Sequence, residues 1–264
     1  MTDLLHWAQL TWPEIDERRD DHIVGLVPVG ATEQHGPHLP TGTDTLIAQH
    51  LCDAAATTTG ALVLPAIPIG CSYGHGTKLP GTLSLAPEQL IDLVRQIAMW
   101  AAHSGIRRLL YVNAHYGNTA ALLVATDHLR LERPDLQVGI VDWWRLDPAI
   151  EQELTVDGND VHANRAETAM VMAIAPEVVR HSERETADDP DRTGGLAFRY
   201  TATSLSRNGV TGRPSEATVG LGDKLLRLTV DRLVEVVEQA RYEEPPLGAA
   251  DQPDEYSNRD RSAG

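Results

Sequence analysis

The sequence predicts an α/β protein whose mainly parallel sheet is covered by helices on both faces. Short β-branched apolar runs alternate along residues 22–143 with longer segments whose apolar residues recur at helical spacing. Loops that contain glycine separate these segments, and no internal repeat is evident. Strands that alternate with helices are joined by right-handed crossovers, which make neighbouring strands parallel.

The first predicted strand covers residues 22–30, an apolar run that ends at a glycine. A helix is predicted over residues 43–60, and Thr43 or Asp44 fits its N-cap. The same pattern then repeats. The further elements are a strand over 61–67, a helix over 87–104, a strand over 108–113, a helix over 119–132 and a strand over 137–143.

The pattern weakens in the C-terminal part of the chain. Helices are predicted over residues 164–175 and 223–241, and the segment 183–220 between them is interpreted as a long loop region near the functional site. Residues 243–264 are rich in Pro, Asp, Glu, Ser and Gly, which predicts a disordered acidic tail. We therefore expect a single domain over residues 1–242.

Composition argues against several classes of function. The chain has 22 basic and 38 acidic residues, and a net charge of −16 repels nucleic-acid phosphates and anionic membrane surfaces. No stretch approaches the roughly 18 apolar residues of a membrane span, and no export signal is visible. Cys52 and Cys71 are too few for a disulfide framework. We expect a cytoplasmic protein with no nucleic-acid or membrane partner.

Polar side chains collect in three loops that follow predicted strands. Glu33, His35 and Asp44 follow the first strand, His75 follows the second, and His115 follows the third. Ligands bind at the carboxyl ends of parallel strands, because the loops after the strands converge there. We therefore expect these side chains to meet at one edge of the sheet.

The types of these residues suit a metal site. Glu33 and His35 are two residues apart, so their side chains point the same way in an extended segment. Carboxylates and neutral imidazoles suit Zn²⁺, Mn²⁺ or Fe²⁺, and Asp44 could bridge two ions through its two oxygens. Metal ions acidify water and polarise a carbonyl, as amide hydrolysis requires. A solvated loop at Glu33 and His35 and an N-cap role for Asp44 are the alternatives.

Residues 28–45, with the sequence PVGATEQHGPHLPTGTDT, resemble the creatininase family of amidohydrolases. Four later segments agree with the family in the same order. They are PGTLS at 80–84, VNAHYGN at 112–118, HANRAET at 162–168 and NGVTG at 208–212. These segments span most of residues 20–240.

The resemblance implies a three-layer α/β/α sandwich, a homo-oligomer that is commonly a hexamer, and two divalent ions per chain. Zn²⁺ and Mn²⁺ are the ions expected, with Fe²⁺ as an alternative. Glu33, His35, Asp44 and His115 fall on family metal ligands, with Asp44 as the bridge. His162 falls on the histidine that carries protons between the metal-bound water and the leaving nitrogen.

One position departs from the pattern of creatininase itself, which has a glutamate where this chain has Gly117. The second ion therefore lacks one carboxylate ligand. We expect Glu167 to replace it as a ligand in the catalytic site. Asn164 and Glu167 also fit a capping box at the start of a helix, which is the structural interpretation of Glu167.

Four further residues are expected to contact the substrate. Tyr116 follows a predicted metal ligand directly, although a tyrosine packed under the loop is the alternative. His75 lies between glycines that allow close backbone approach. Trp143 and Trp144 resemble a tryptophan site with which creatininase closes over its small cyclic substrate.

Together these expectations describe a metal-dependent hydrolase of a small molecule with a non-peptide C–N amide bond, cyclic or formyl. The resemblance implies attack by a metal-bridging hydroxide, after which His162 protonates the departing nitrogen. Gly117 weakens the case for creatinine itself as the substrate. The alternatives are a metallopeptidase that trims a short peptide, as in relatives that mature the mycofactocin precursor, and a non-catalytic metal-binding protein.

Overall fold

The computed structural model describes residues 4–20 and 22–246, which form a parallel sheet flanked by helices. The strands are β1 Leu5–His6, β2 Val24–Val29, β3 Leu62–Val63, β4 Arg108–Asn113 and β5 Gln137–Asp142. Their order in the sheet is β1-β3-β2-β4-β5, and every neighbouring pair is parallel. The predicted α/β class with a parallel sheet is confirmed.

The helices connect the strands and cover the sheet. They are α1 Trp12–Asp16, α2 Thr43–Thr59, α3 Pro87–His103, α4 Thr119–Glu132, α5 Pro148–Leu154, α6 Arg165–Ile174, α7 His181–Arg184, α8 Ala202–Leu205 and α9 Val219–Tyr242. Among the described residues, none of these helices has the length and apolar content needed to cross a bilayer.

The sheet divides the hydrophobic core into two layers. Along β4, Leu110 and Val112 face a core that contains residues of α2, α6 and α9. Leu109 and Tyr111 face the opposite core, which contains residues of α3 and α4. Successive side chains of a strand point to opposite faces, so a buried parallel strand is apolar on both. The three-layer α/β/α arrangement is therefore confirmed.

Several elements differ from the predictions, and the short helices α1, α5, α7 and α8 were not predicted. Strand β3 was predicted over residues 61–67 but forms a ladder only at Leu62–Val63. Pro65 has no N–H to donate to the sheet, and after it only Ile67 forms a bridge with β2. Helix α9 begins at Val219, before the predicted residue 223, because the Thr218 side chain caps it. The two-residue strand β1 was not predicted.

The predicted N-cap of α2 is wrong. Gly42 occupies the N-cap position, and Thr43 and Asp44 lie in the first turn of the helix. The Thr43 hydroxyl donates to the carbonyl oxygen of Pro40 and so closes the preceding loop. The Asp44 carboxylate therefore has no capping role in α2.

Only the beginning of the predicted acidic tail lies within the described residues. The buried guanidinium of Arg108 donates to the carbonyl oxygens of Ala240 and Glu243 and to the Glu244 carboxylate. These bonds hold the residues after α9 against β4. Residues 243–246 of the predicted tail are therefore ordered, and residues 247–264 lie outside the described part of the chain.

Helices α6 and α9 cross at a glycine, and this contact provides a stability test. A Cβ atom on Gly222 would collide with the carbonyl oxygen of Ala169, whereas a Cβ on Gly220 of the same helix would meet nothing within 4 Å. We expect Gly222→Ala to lower the free energy of unfolding by about 1–3 kcal/mol, as overpacking does.

Gly220→Ala is the matched control, and we expect it to leave stability unchanged or to raise it by up to about 1 kcal/mol, since alanine favours helix. Chemical denaturation of both variants measures the difference. Equal stability of the two variants would show that α6 and α9 can separate freely at this crossing.

Candidate active site

A cavity of about 200 Å³ lies where the loops after β2, β3 and β4 converge. The first turns of α2 and α6 and the segment around residues 200–211 complete its wall. Seven side chains predicted for the site line it: Glu33, Asp44, His75, His115, Tyr116, His162 and Glu167. The structure therefore brings together residues that are distant in sequence, as expected from the convergence of loops at strand ends.

The Asp44 carboxylate lies between two imidazoles and presents one oxygen to each. Its Oδ1 is 3.2 Å from Nε2 of His35, and its Oδ2 is 3.3 Å from Nδ1 of His115. Oε1 of Glu33 is also 3.3 Å from Nδ1 of His115. All four side chains are buried. Asp44 therefore has the placement of a bridging carboxylate.

The outer ring nitrogens of both histidines face backbone carbonyls. Nδ1 of His35 is 3.1 Å from the carbonyl oxygen of Glu33, and Nε2 of His115 is 3.0 Å from that of Cys71. A ring nitrogen must carry the proton to donate to a carbonyl, so in the neutral ring the opposite nitrogen has a free lone pair. Those lone pairs face the carboxylates, an arrangement typical of histidines that bind metals.

These side chains form three overlapping groups of possible metal ligands, each with ligand atoms within 4.8 Å of one another. The groups are Glu33, Asp44 and His115; His35, Asp44 and Glu167; and Glu33, His35 and His162. Within the described part of the chain, the buried Oε2 of Glu33, Nε2 of His35 and Oδ2 of Asp44 have no hydrogen-bond partner. Burying such atoms unpartnered is costly, and divalent cations fit this donor set.

Glu167 reaches the cavity from the first turn of α6. Asn164 is the N-cap, as predicted, because its side chain accepts from the N–H groups of Ala166 and Glu167. Oε2 of Glu167 accepts from the N–H of Ala163 at 2.6 Å, one residue before the N–H that a capping box would use. Ala163 has a φ of 50°, in the strained left-handed region. Burial raises the pKa of Glu167 to about 7.

Position 117 has no space for a side chain. A Cβ atom on Gly117 would collide with the carbonyl oxygen of Cys71 and with Nε2 of His115. A glutamate at this position would therefore require the surrounding loops to move. The carboxylate that completes a group with His35 and Asp44 comes from Glu167 instead.

His162 differs in its charge state from His35 and His115, whose pKa values are raised. Burial, followed by the nearby imidazoles of His35 and His75, lowers the pKa of His162 well below its usual value. Burial alone would also lower the pKa of His35, but the Asp44 carboxylate outweighs it and raises that pKa to about 9. His162 is thus neutral near pH 7, with its Nδ1 3.6 Å from Oε1 of Glu33.

The residues predicted to contact substrate divide into two pairs. Tyr116 and His75 line the cavity. Trp143 and Trp144 do not, because both are buried in the core. The ring of Trp144 stacks on Tyr116 with centroids 4.0 Å apart. Trp144 therefore supports the cavity wall from behind, and Trp143 packs edge-on against Trp144.

Several residues in the cavity wall or next to it were not singled out from the sequence. Gln34 lies inside the first motif and contacts two of the histidines. Thr211 lies in the last motif and lines the cavity. Their positions within these motifs could have identified both residues. Asp160 and Tyr200 line the cavity from segments without such a signal. The interpretation of residues 183–220 as a region near the site nevertheless agrees with the placement of Tyr200.

Comparison with known proteins agrees with this geometry. A family model described as creatinine amidohydrolase matches residues 8–237. A mycofactocin precursor peptide peptidase of Mycobacterium ulcerans is 34% identical over 259 aligned residues, covering 90% of this chain and 89% of that protein. A creatinine amidohydrolase of Pseudomonas putida is 34% identical over 188 residues, covering 65% and 72%.

The fold comparison gives the same result. A crystal structure of creatinine amidohydrolase superposes with a TM-score of 0.81 at 28% identity, covering 92% of this chain and all of that one. The chain belongs to the creatininase family of hydrolases.

Proposed function

We propose that this protein is a metal-dependent hydrolase that cleaves the C–N amide bond of a small non-peptide substrate, cyclic or formyl. The observation that carries the proposal is the sharing of Asp44 by two groups of buried carboxylates and imidazoles. Two adjacent ion sites joined by one carboxylate are typical of two-metal hydrolases.

The candidate ligands form two sites for divalent ions, and Zn²⁺ and Mn²⁺ are the candidate ions. Glu33, Asp44 and His115 would hold one ion, and His35, Asp44 and Glu167 the other. Such ions, when bound, acidify water and polarise a carbonyl group.

His162 has the properties of the proton carrier. Its low pKa keeps it neutral, so Nδ1 can take a proton from the attacking water and return it to the departing nitrogen. Its Nε2 is 2.7 Å from the carbonyl oxygen of Gln34, to which it donates, and this bond holds the ring in place.

The size of the cavity favours a small reacting group. Its volume of about 200 Å³ is below the roughly 300–1,000 Å³ of pockets that enclose drug-sized ligands. Tyr116, backed by Trp144, forms part of its wall. A compact ring or formamide therefore fits better than a large substrate enclosed on all sides.

A short peptide is the second candidate substrate. The relative from Mycobacterium ulcerans is named a peptide peptidase and aligns with 90% of this chain. Tyr200, which is half exposed and lines the cavity, could contact the part of a peptide that extends outside it. Both substrates use the same site and the same bond chemistry.

Metal analysis and turnover together test the proposal. We expect the protein to retain close to two divalent ions per chain after reconstitution with Zn²⁺ or Mn²⁺ and to hydrolyse one class in a panel of cyclic ureas, lactams, formamides and short peptides. Elemental analysis and amine release are the measurements. A protein that binds no metal, or binds metal but cleaves none of the non-peptide amides, would contradict it, and cleavage of the short peptides alone would favour the second candidate.

Asp44→Ala tests the bridging role. Because both ligand groups contain Asp44, we expect this variant to lose both ions together rather than one. Asp53→Ala is the matched control, since Asp53 lies on the same helix but contacts His6 and Gln49 instead. Retention of one full ion by Asp44→Ala would show that the two sites are independent.

Glu167→Gln tests the replacement ligand. We expect occupancy of one ion to fall and turnover to drop by at least about 10–100-fold, the loss typical even of outer-shell partners. Asn164 still caps α6 in this variant, so the thermal midpoint should change little. Two bound ions with full turnover in this variant would show that Glu167 has only a structural role.

A further inference from the structure

We propose that Gln34 is a positioning residue that fixes which ring nitrogen carries the proton in His75 and in His162. The side chain acts on His75, and the backbone carbonyl acts on His162. The inference deepens the proposed function, on which its kinetic consequence rests, but the proton positions themselves can be observed without turnover.

The orientation of the Gln34 amide is determined by its surroundings. Oε1 accepts from the N–H of Gly36 at 3.0 Å, and Nε2 lies 3.2 Å from the carbonyl oxygen of Gly209. Exchanging the two atoms would place two donors together at Gly36 and two acceptors together at Gly209. Gly209 has no room for a side chain because Oε1 of Gln34 occupies that space. The Gln34 nitrogen therefore points to the histidines.

Three acceptors compete for the two protons of this nitrogen. Nδ1 of His75 and Nε2 of His162 are each 3.0 Å from it, in addition to the Gly209 carbonyl. Nε2 of His162 is closer to the Gln34 backbone oxygen, at 2.7 Å, and an unprotonated nitrogen there would face an oxygen lone pair. Nε2 of His162 must therefore be a donor. The two amide protons remain for His75 and Gly209.

This assignment fixes both rings. His162 carries its proton on Nε2, so its free Nδ1 lone pair is the atom nearest to Oε1 of Glu33. His75 accepts at Nδ1, so its proton is on Nε2, 3.1 Å from Oε2 of Glu33. That contact is electrostatic rather than a well-aligned hydrogen bond, because Oε2 has no hydrogen-bond partner among the described residues.

The consequence concerns Glu33. The N–H of His75 lies beside Oε2 and helps to hold the carboxylate in place, while Oε1 stays directed to the group with His115. The opposite tautomer of His75 would turn a lone pair toward Oε2 and repel it. Gln34 thus acts on the metal-ligand candidate Glu33 through His75, without itself lining the described cavity.

Gln34→Glu tests this role because it keeps the shape of the side chain but replaces the donor with an acceptor. The readout is the set of ring ¹⁵N chemical shifts of histidine-labelled full-length protein loaded with Zn²⁺. In the wild type we expect an unprotonated Nδ1 on His75 and a protonated Nε2 on His162. In Gln34→Glu we expect Nδ1 of His75 to become protonated, while Nε2 of His162 stays protonated because its acceptor is backbone.

Gln34→Met is the second variant in case the added charge impairs folding, and it should give a mixture of both His75 tautomers. In both variants we expect kcat to fall about 10–100-fold, with a smaller change in KM. Gln49→Glu is the control, because the side chain of Gln49 on α2 donates to Asp53 and does not line the cavity. It should leave the ring shifts and kcat unchanged.

The outcomes separate the two proposals. A wild-type His75 protonated at Nδ1, or variants that lose kcat while the His75 shifts stay unchanged, would overturn the positioning role. Tautomers that shift as expected in a protein that cleaves no amide would leave the positioning role intact and refute the proposed function instead.

Discussion

The buried carboxylate of Asp44 is the contact on which the geometry of the site depends. It lies in the first turn of α2 and touches His35 from the loop after β2 and His115 from the loop after β4. These strands are neighbours in the sheet, so parallel pairing delivers both loops to the same edge. Gly42 takes the N-cap position, which leaves the Asp44 side chain available for the site.

Charge explains why the remaining residues are arranged as they are. Glu33, Asp44 and Glu167 are three buried carboxylates in one cluster, and mutual repulsion with burial would disfavour their ionised forms. Nearby imidazoles offset part of this cost. Burial alone would raise the pKa of Glu33, but the imidazole of His115 outweighs burial and keeps that pKa below its usual range. At Glu167 burial outweighs the nearby imidazole of His35, so the pKa of that carboxyl is raised. Divalent cations would stabilise all three carboxylates together.

The sequence predicts most of the fold because buried parallel strands are continuous apolar runs, as in β2 and β4, and amphipathic helices have a clear period. Because strand ends converge, it also predicts that Glu33, Asp44, His75 and His115 meet in the cavity, and the family resemblance adds His162 and Glu167. It cannot predict that Trp144 packs behind Tyr116, since both residues are equally consistent with a binding wall or a core. Nor can it reveal the orientation of the Gln34 amide, which depends on Gly209, 175 residues away.

The Cys71 carbonyl shows how one backbone atom can determine where a ligand comes from. It accepts the outer proton of His115 and so directs the other nitrogen to the carboxylates. The same oxygen occupies the space that a side chain at position 117 would need. The orientation of His115 and the absence of a carboxylate at Gly117 are therefore linked, and the third carboxylate must reach the cluster from another element. The left-handed turn at Ala163 meets this need, because it directs an N–H to Glu167 at the start of α6.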